Sequence, residues 1–186
     1  FKRGARAAAG AAPLKENLAA GILSLSGWRP GTALLDPMCG GATFLVEAAQ
    51  IALDIAPGSA RGFGFEKLKS FDTALWQQLR AEAAARRQPP VQLPIYGSDL
   101  YGDTLKLAQA NLRAAGLEEA VQLKQANALE ISAPAETGVL ITNPPYGERM
   151  GEQQELAKFY PKFGDALKQK FAGWNCYILS ADMNLP

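Results

Sequence analysis

ALLDPMCGGATFLVEAA, Ala33 to Ala49, reads as a strand, a glycine loop and a helix in direct succession. Ala33-Leu34-Leu35 is a short apolar run that stops on an acid, Asp36, as a buried strand does at the edge of a sheet. Cys39-Gly40-Gly41 supplies backbone that can turn tightly and approach a ligand closely. A tight turn at a strand end would use the same glycines. A helical pattern then runs from Thr43 to Asp54. The loop lacks the Lys and Ser/Thr of GxxxxGK[ST] and does not match GxGxxG, which argues against a nucleoside triphosphate.

The same alternation extends in both directions. Upstream, apolar residues at Leu14, Leu18, Ile22 and Leu25 predict a helix over 14–25, with Pro13 at its start and Gly27 at its stop. Downstream, a helix is expected over 71–87, halted by Pro89-Pro90. Strands follow at 94–99, 121–126, 138–142 and 176–180, the last read as buried. Helices are expected at 104–115, closed by Gly116, and at 155–171. Short apolar strands alternating with amphipathic helices predict an α/β fold: a doubly wound, mostly parallel sheet with helices on both faces. We expect one domain over 1–186, with an insertion at 54–95 between the first and second strand units. The chain begins with Phe1 and stops at Asn184-Leu185-Pro186, so both ends are expected to continue into a longer protein.

Composition narrows the function. Of 186 residues, 19 are Lys or Arg and 18 are Asp or Glu, a formal charge of +1. That excludes a polybasic nucleic-acid sponge and an acidic tail, though not a local basic patch. With no histidine in the sequence, His-based triads, His metal sites and His general bases are excluded. Cys39 and Cys176 are too far apart for a zinc cluster, so no metal is expected, and a reducing, cytoplasmic setting fits two isolated thiols. No run reaches the roughly 18 apolar residues of a membrane helix, and no signal peptide is evident.

Three strands end in residues that can do chemistry: Asp36, Asp99 and Asn143. In such a sheet, ligands bind at the carboxyl ends of the strands, at the point where strand order reverses. Asp99, in YGSDL, can accept hydrogen bonds from ribose hydroxyls, and an acid there serves equally as a helix cap. In NPPYGER, Asn143 to Arg149, two prolines fix an extended, rigid exit from a strand. That rigidity holds the Asn143 side-chain oxygen and the Pro144 carbonyl as paired acceptors for an exocyclic amino group, and the Tyr146 ring can stack on the base. Lys2, Arg3, Arg6, Arg61, Lys67, Lys69 and Arg149 are candidate phosphate contacts, or simply a solvated surface.

These residues resemble a known family. A DPxCGxGT loop after the first strand with Asn-Pro-Pro-Tyr after the fourth looks like the amino-methylating S-adenosylmethionine-dependent methyltransferases. The match is closer to the THUMP-associated rRNA guanine-2-amino methyltransferases of the RlmL type. It rests on DPMCGGATFLVEAA, on the leader from Lys2 to Ala20, on Ala56-Pro57-Gly58, Arg61, Phe63, Phe65 and Trp76 of the insertion, and on NPPYGERMG. It spans nearly the whole chain and implies a Rossmann-like methyltransferase sheet. It implies that Asp36, Pro37, Cys39, Gly40, Gly41 and Thr43 hold the methionine part of S-adenosylmethionine, or of its product S-adenosylhomocysteine. Asp99 would bind the ribose, Asn127 would meet the adenine, and Asn143 would serve both cofactor and target. Asn143, Pro144, Pro145 and Tyr146 would grip the base, with Lys15, Glu16 and Asn17 near the cofactor. The implied substrate is the 2-amino group of a guanine in 23S, large-subunit rRNA, free or in an assembly precursor. RNA binding would lean on an upstream THUMP domain that this chain lacks, and no membrane partner is expected. Ala42 departs from the family's second glycine, and Asn127 from its aspartate. The readings kept beside this one are a DNA adenine amino methyltransferase, a protein glutamine methyltransferase, and a non-catalytic nucleotide-binding or ribosome-assembly module.

Overall fold

The computed structural model describes residues 14–145 and 150–180, with side chains from residue 157 onward in the last helix. The leader residues Lys2, Arg3, Arg6 and Pro13, together with Tyr146, Arg149 and Asn184-Leu185-Pro186, lie outside the described residues. Among the described residues, five strands form one sheet: β1 (Leu34–Asp36), β2 (Ile95–Asp99), β3 (Gln122–Gln125), β4 (Gly138–Thr142) and β5 (Trp174–Ile178). Their order is β3-β2-β1-β4-β5, and every pairing is parallel. The helices are α1 (Glu16–Leu25), α2 (Thr43–Ala52), α3 (Thr73–Arg86), α4 (Gly102–Ala114) and α5 (Met150–Lys170).

Period-two alternation builds two cores. Leu34, Ile95, Val139 and Ile141 face one side of the sheet, where Ala19 and Leu23 of α1, Phe44, Leu45 and Ala48 of α2, and Leu105, Ala108 and Leu112 of α4 cover them. Leu35 and Leu140 face the other side and meet Phe163 of α5, with Phe171 and Trp174. Strands buried on both faces need continuous apolar runs, which Leu34-Leu35 and Val139-Leu140-Ile141 provide. The doubly wound expectation therefore holds.

Some expectations need correction. α1 begins at Glu16 rather than Leu14, α4 begins at Gly102 rather than Thr104, and β5 lies two residues earlier than expected. No helix joins β3 to β4. A loop crosses instead, and its Ala128, Leu129, Ile131 and Ala133 cover the α5 face in a helix's place. The Trp174 indole N–H donates to Ala135 O at 2.9 Å and Lys170 Nζ to Leu129 O at 2.8 Å, fixing that loop against α5 and β5. β5 is not a buried strand: only Trp174 is buried, and Asn175 to Ile178 are exposed because the strand lies at the edge of the sheet among the described residues.

The insertion starts where α2 ends and returns where β2 begins. Gln88 N donates to Leu53 O at 2.8 Å, and Leu34 N donates to Pro94 O at 2.9 Å. Both stems of the insertion are thus at the amino ends of the strands, opposite the edge that carries Asp36, Asp99 and Asn143. No residue of α3 is buried. The insertion is held by its own aromatic cluster, in which Phe63, Phe65, Phe71 and Trp76 pack with centroids 5.0 to 5.9 Å apart. The Arg61 guanidinium stacks 4.2 Å from the Phe63 centroid. Phe63, Phe65 and Trp76 therefore pack on one another within the 54–95 segment.

Gly138 opens β4 where backbones and an indole converge. A Cβ there would stand 2.7 Å from Ala33 O and 2.7 Å from the Trp174 ring. Neither neighbour is the free end of a flexible chain, so Gly138→Ala is expected to destabilise the fold by about 1–3 kcal/mol, the usual cost of overpacking. A chemical denaturation midpoint equal to that of wild type would refute this account of the β4 entry.

Candidate cofactor and base site

The carboxyl ends of β1, β2 and β4 converge on the loop that follows β1. The Asp36 carboxylate oxygen Oδ1 accepts from Met38 N at 3.2 Å and from the Thr142 hydroxyl at 2.8 Å. Asp36 is 2% exposed and Thr142 is fully buried. Burial pushes the Asp36 carboxyl up to about 7, against the pull of the Thr142 and Met38 hydrogen bonds, and the Asp99 charge adds to the rise. Asp36 is therefore an internal anchor of the loop as well as a candidate ligand contact.

Further along the loop, Cys39 N donates to Ser98 O at 2.9 Å, and the Ser98 hydroxyl donates to Pro37 O at 3.3 Å. Gly40 N donates to Asp99 Oδ2 at 3.1 Å, while Asp99 Oδ1 accepts from Tyr101 N at 3.1 Å. One carboxylate thus closes the turn at the end of β2 and pins the glycine loop to it. Asp99 does act locally as a turn-former, and its interaction with Gly40 is the longer-range part. From α4, the buried Asn111 side-chain amide donates to Gly41 O at 2.9 Å. A Cβ on Gly41 would stand 3.2 Å from that amide, whereas a Cβ on Gly40 would meet nothing within 4 Å. The Gly40 backbone faces open space, as a loop that receives a ligand requires.

Ala42 carries φ 64 and ψ 29, the left-handed region, and is fully buried. The turn into α2 demands this conformation, which a glycine would adopt without the steric cost it imposes on alanine. The Cys39 side chain packs in the core rather than against open space, and burial, then the charges of Asp36 and Asp99, push its thiol well up. Its contribution to the loop is its backbone, through the bond from Cys39 N to Ser98 O.

Asn127, two residues beyond β3, folds onto its own chain: Oδ1 accepts from Leu129 N at 3.0 Å and Nδ2 donates to Glu130 Oε1 at 3.4 Å. Leu100 and Tyr101 are exposed beside Asp99, and Gln125 Nε2 donates to Leu100 O at 3.0 Å, joining the ends of β2 and β3. Asn143 follows β4 half-exposed, Pro144 is buried and Pro145 exposed. The structure thus brings Asp36, Pro37, Gly40, Gly41, Asp99 and Asn143 to one edge, at the reversal of strand order between β1 and β4. Lys15, Glu16 and Asn17 stand at the start of α1. Sequence reasoning missed Asn111 and Thr142, whose roles show only as contacts 70 and 106 residues distant in sequence. Among the described residues, no group of three or more Cys, Asp or Glu could hold a metal, and no helix is long and apolar enough to cross a membrane.

A family model described as RMKL-like, methyltransferase domain, matches residues 3–186. The chain is 49% identical over 189 residues to a ribosomal RNA large subunit methyltransferase K/L from Shewanella sp. (strain W3-18-1), covering 99% of this chain and 27% of that protein. It thus spans about a quarter of the curated relatives' length. Among solved structures, SMU.472 complexed with SAH superposes with a TM-score of 0.90 at 40% identity, over 100% of this chain and 48% of that one. A protein from Listeria monocytogenes str. 4b F2365, described as a predicted N6-adenine-specific DNA methylase, gives a TM-score of 0.87 at 34% identity, over 98% and 48%.

Two outcomes follow from the loop. Relieving the left-handed alanine returns about 1–2 kcal/mol, less about 0.8 kcal/mol for the buried methyl, so Ala42→Gly is expected to stabilise by up to about 1 kcal/mol. A loss of stability in urea titration would contradict that balance. Asp36 titrates near 7 folded and near 3.8 unfolded, so between these values the folded chain keeps a proton that the unfolded chain releases. Its contribution is intact below 3.8 and lost as the pH rises through about 7. Asp36→Asn should therefore lose less stability than wild type between acid and neutral pH, by a margin on the order of a few kcal/mol. Parallel pH profiles for the two proteins would sink this assignment.

Proposed function

The chain belongs to the RMKL-like methyltransferase domain family, and we propose that it binds S-adenosylmethionine and methylates the exocyclic 2-amino group of a guanine in large-subunit rRNA. The observation that carries the reading is the convergence of an open glycine loop, Asp99 and Asn143-Pro144 at one sheet edge, around the reversal point between β1 and β4. Support for the cofactor comes from the open Gly40 backbone and from the SAH held by a structure of the same fold at 40% identity. Support for the substrate comes from the names of the curated relatives. An rRNA substrate also implies a cytoplasmic site of action.

The residues fit the cofactor as follows. Asp36 to Thr43 would hold its methionine part, Asp99 its ribose and Asn127 its adenine. When bound, it supplies a methyl group already activated on a sulfonium. What remains for the chain is placement. The guanine amine is a poor nucleophile because its lone pair is delocalised into the ring. Asn143 Oδ1 and Pro144 O would accept its hydrogen bonds and hold the nitrogen in line. Proximity of this kind accounts for about 7–11 kcal/mol of barrier. Pro144 and Pro145 keep both acceptors from relaxing. The chain has no histidine to act as base, and the released proton can pass to water. The guanine must leave its stack, at a cost of a few kcal/mol.

The DNA adenine reading draws on the description of the Listeria relative, and the same paired acceptors would suit the adenine amine. Titration calorimetry with S-adenosylhomocysteine should give micromolar binding. Asp99→Ala should weaken it roughly 10–100-fold, the worth of hydrogen bonds to a charged group. Asn143→Ala should cut methyl transfer to a large-subunit rRNA fragment on the order of 100-fold through lost placement. Full-rate transfer by Asn143→Ala ends the mechanism, and transfer to adenine in duplex DNA but not to rRNA ends the substrate assignment.

A further inference from the structure

We propose that Thr142 is a positioning residue that sets the cofactor loop against the base-gripping segment through its hydroxyl bond to Asp36. The inference rests on the reading of that loop as the cofactor site. Thr142 is the last residue of β4 and directly precedes Asn143-Pro144-Pro145. Asp36 is the last residue of β1 and opens the loop. Their bond, 2.8 Å long and fully buried, spans the two strands between which the ligand edge opens. The hydroxyl is held from behind by the sheet, since Thr142 pairs with Ile178 and its carbonyl accepts from Leu179 N at 2.9 Å. A shift of β4 therefore moves Asp36, and a shift of the loop moves the base of the Asn143 segment.

The bond also sets the charge of the loop. Asp99 at the end of β2 and the Cys39 thiol in the loop are the titratable groups that face Asp36, and Asp99 opposes its ionisation. The Thr142 hydroxyl and Met38 N–H favour the ionised form. Without the hydroxyl, the carboxyl titrates higher than its present value of about 7. S-adenosylhomocysteine carries an ammonium group, and an ionised loop carboxylate attracts it more than a protonated one. Affinity should thus rise as the pH passes through the Asp36 titration.

The test is calorimetric titration of S-adenosylhomocysteine into wild type, Thr142→Val, Thr142→Ser, Asp36→Asn and the Asp36→Asn/Thr142→Val double variant, from about pH 6 to about pH 8.5, a range that brackets the Asp36 titration. Valine keeps the shape of threonine and removes only the hydroxyl. Thr142→Val is expected to move the pH midpoint of binding upward and to weaken binding at neutral pH roughly tenfold, the size of one hydrogen bond to a charged group. Thr142→Ser should restore both. In Asp36→Asn the pH step should vanish, and adding Thr142→Val should then cost less than it does in wild type, because the bond it removes no longer supports a charge. A merely structural threonine would lower the melting temperature without moving the midpoint. Wild-type midpoint and affinity in Thr142→Val, or additive losses in the double variant, would overturn the proposal. Should Thr142→Val not fold, a pH step that persists in Asp36→Asn overturns it instead. Folded wild type that binds no S-adenosylhomocysteine at any pH would sink the cofactor reading itself, an outcome distinct from binding without coupling.

Discussion

Everything in this molecule hangs on the parallel pairing of a three-residue strand, β1, between β2 and β4. β1 is fully buried and sits where the strand order reverses, with β2 and β3 on one side and β4 and β5 on the other. Chain leaving β1 turns toward α2 on one face, and chain leaving β4 turns toward α5 on the other. Two connections that diverge from adjacent strands leave a crevice between them, and polar strand ends inside it can face a ligand without being covered by a crossover. Asp36 and Thr142 bridge the floor of that crevice. Moving β1 by one residue would exchange Leu34 with Leu35 between the two cores and take Asp36 out of reach of Thr142.

The glycine loop has to be both stiff and open, and three different elements share the stiffening. β2 holds it through Asp99 and Ser98, α4 through Asn111, and β4 through Thr142. Each of these partners contacts a backbone group or a residue at the loop's start, so the side chains in the middle are spared. Gly40 is left facing open space as a result. The left-handed Ala42 shows how firmly the turn is imposed: a buried methyl is carried in a conformation that costs an alanine about 1–2 kcal/mol, and the surrounding contacts hold it there.

The strand ends were legible in the sequence because the apolar runs of β1 and β4 stop at Asp36 and just before Asn143, because β2 ends on Asp99, and because most connecting segments carry helix periodicity. The parallel, doubly wound sheet follows from that pattern alone. The β3–β4 crossover was not legible as a covering layer, since Ala128, Leu129, Ile131 and Ala133 show no helical spacing and bury their side chains from an extended loop. β5 misled because CYILS, Cys176 to Ser180, is apolar enough for a core strand, while its burial depends on what lies beyond it in the sheet. In the site, the residues on the loop itself could be named from their local pattern. Asn111 and Thr142 could not: a buried Asn on a helix and a Thr at a strand end are unremarkable until tertiary structure places their partners 70 and 106 residues away.

Asp36 and Asp99 pose a further physical question, since two acids held at adjacent strand ends repel and one of them is fully buried. The structure divides the load unequally. Asp99, at the rim, takes one backbone N–H on each oxygen, from Gly40 and from Tyr101. Asp36 lies deeper, draws both of its donors to a single oxygen, and has its carboxyl raised to about 7 by burial. One carboxylate at the rim and one carboxyl poised near neutrality below it is a lower-energy arrangement than two buried anions. The floor of the crevice therefore holds a group whose charge depends on what faces it. A cation in the crevice would strengthen the ionisation of Asp36, and its departure would let the proton return.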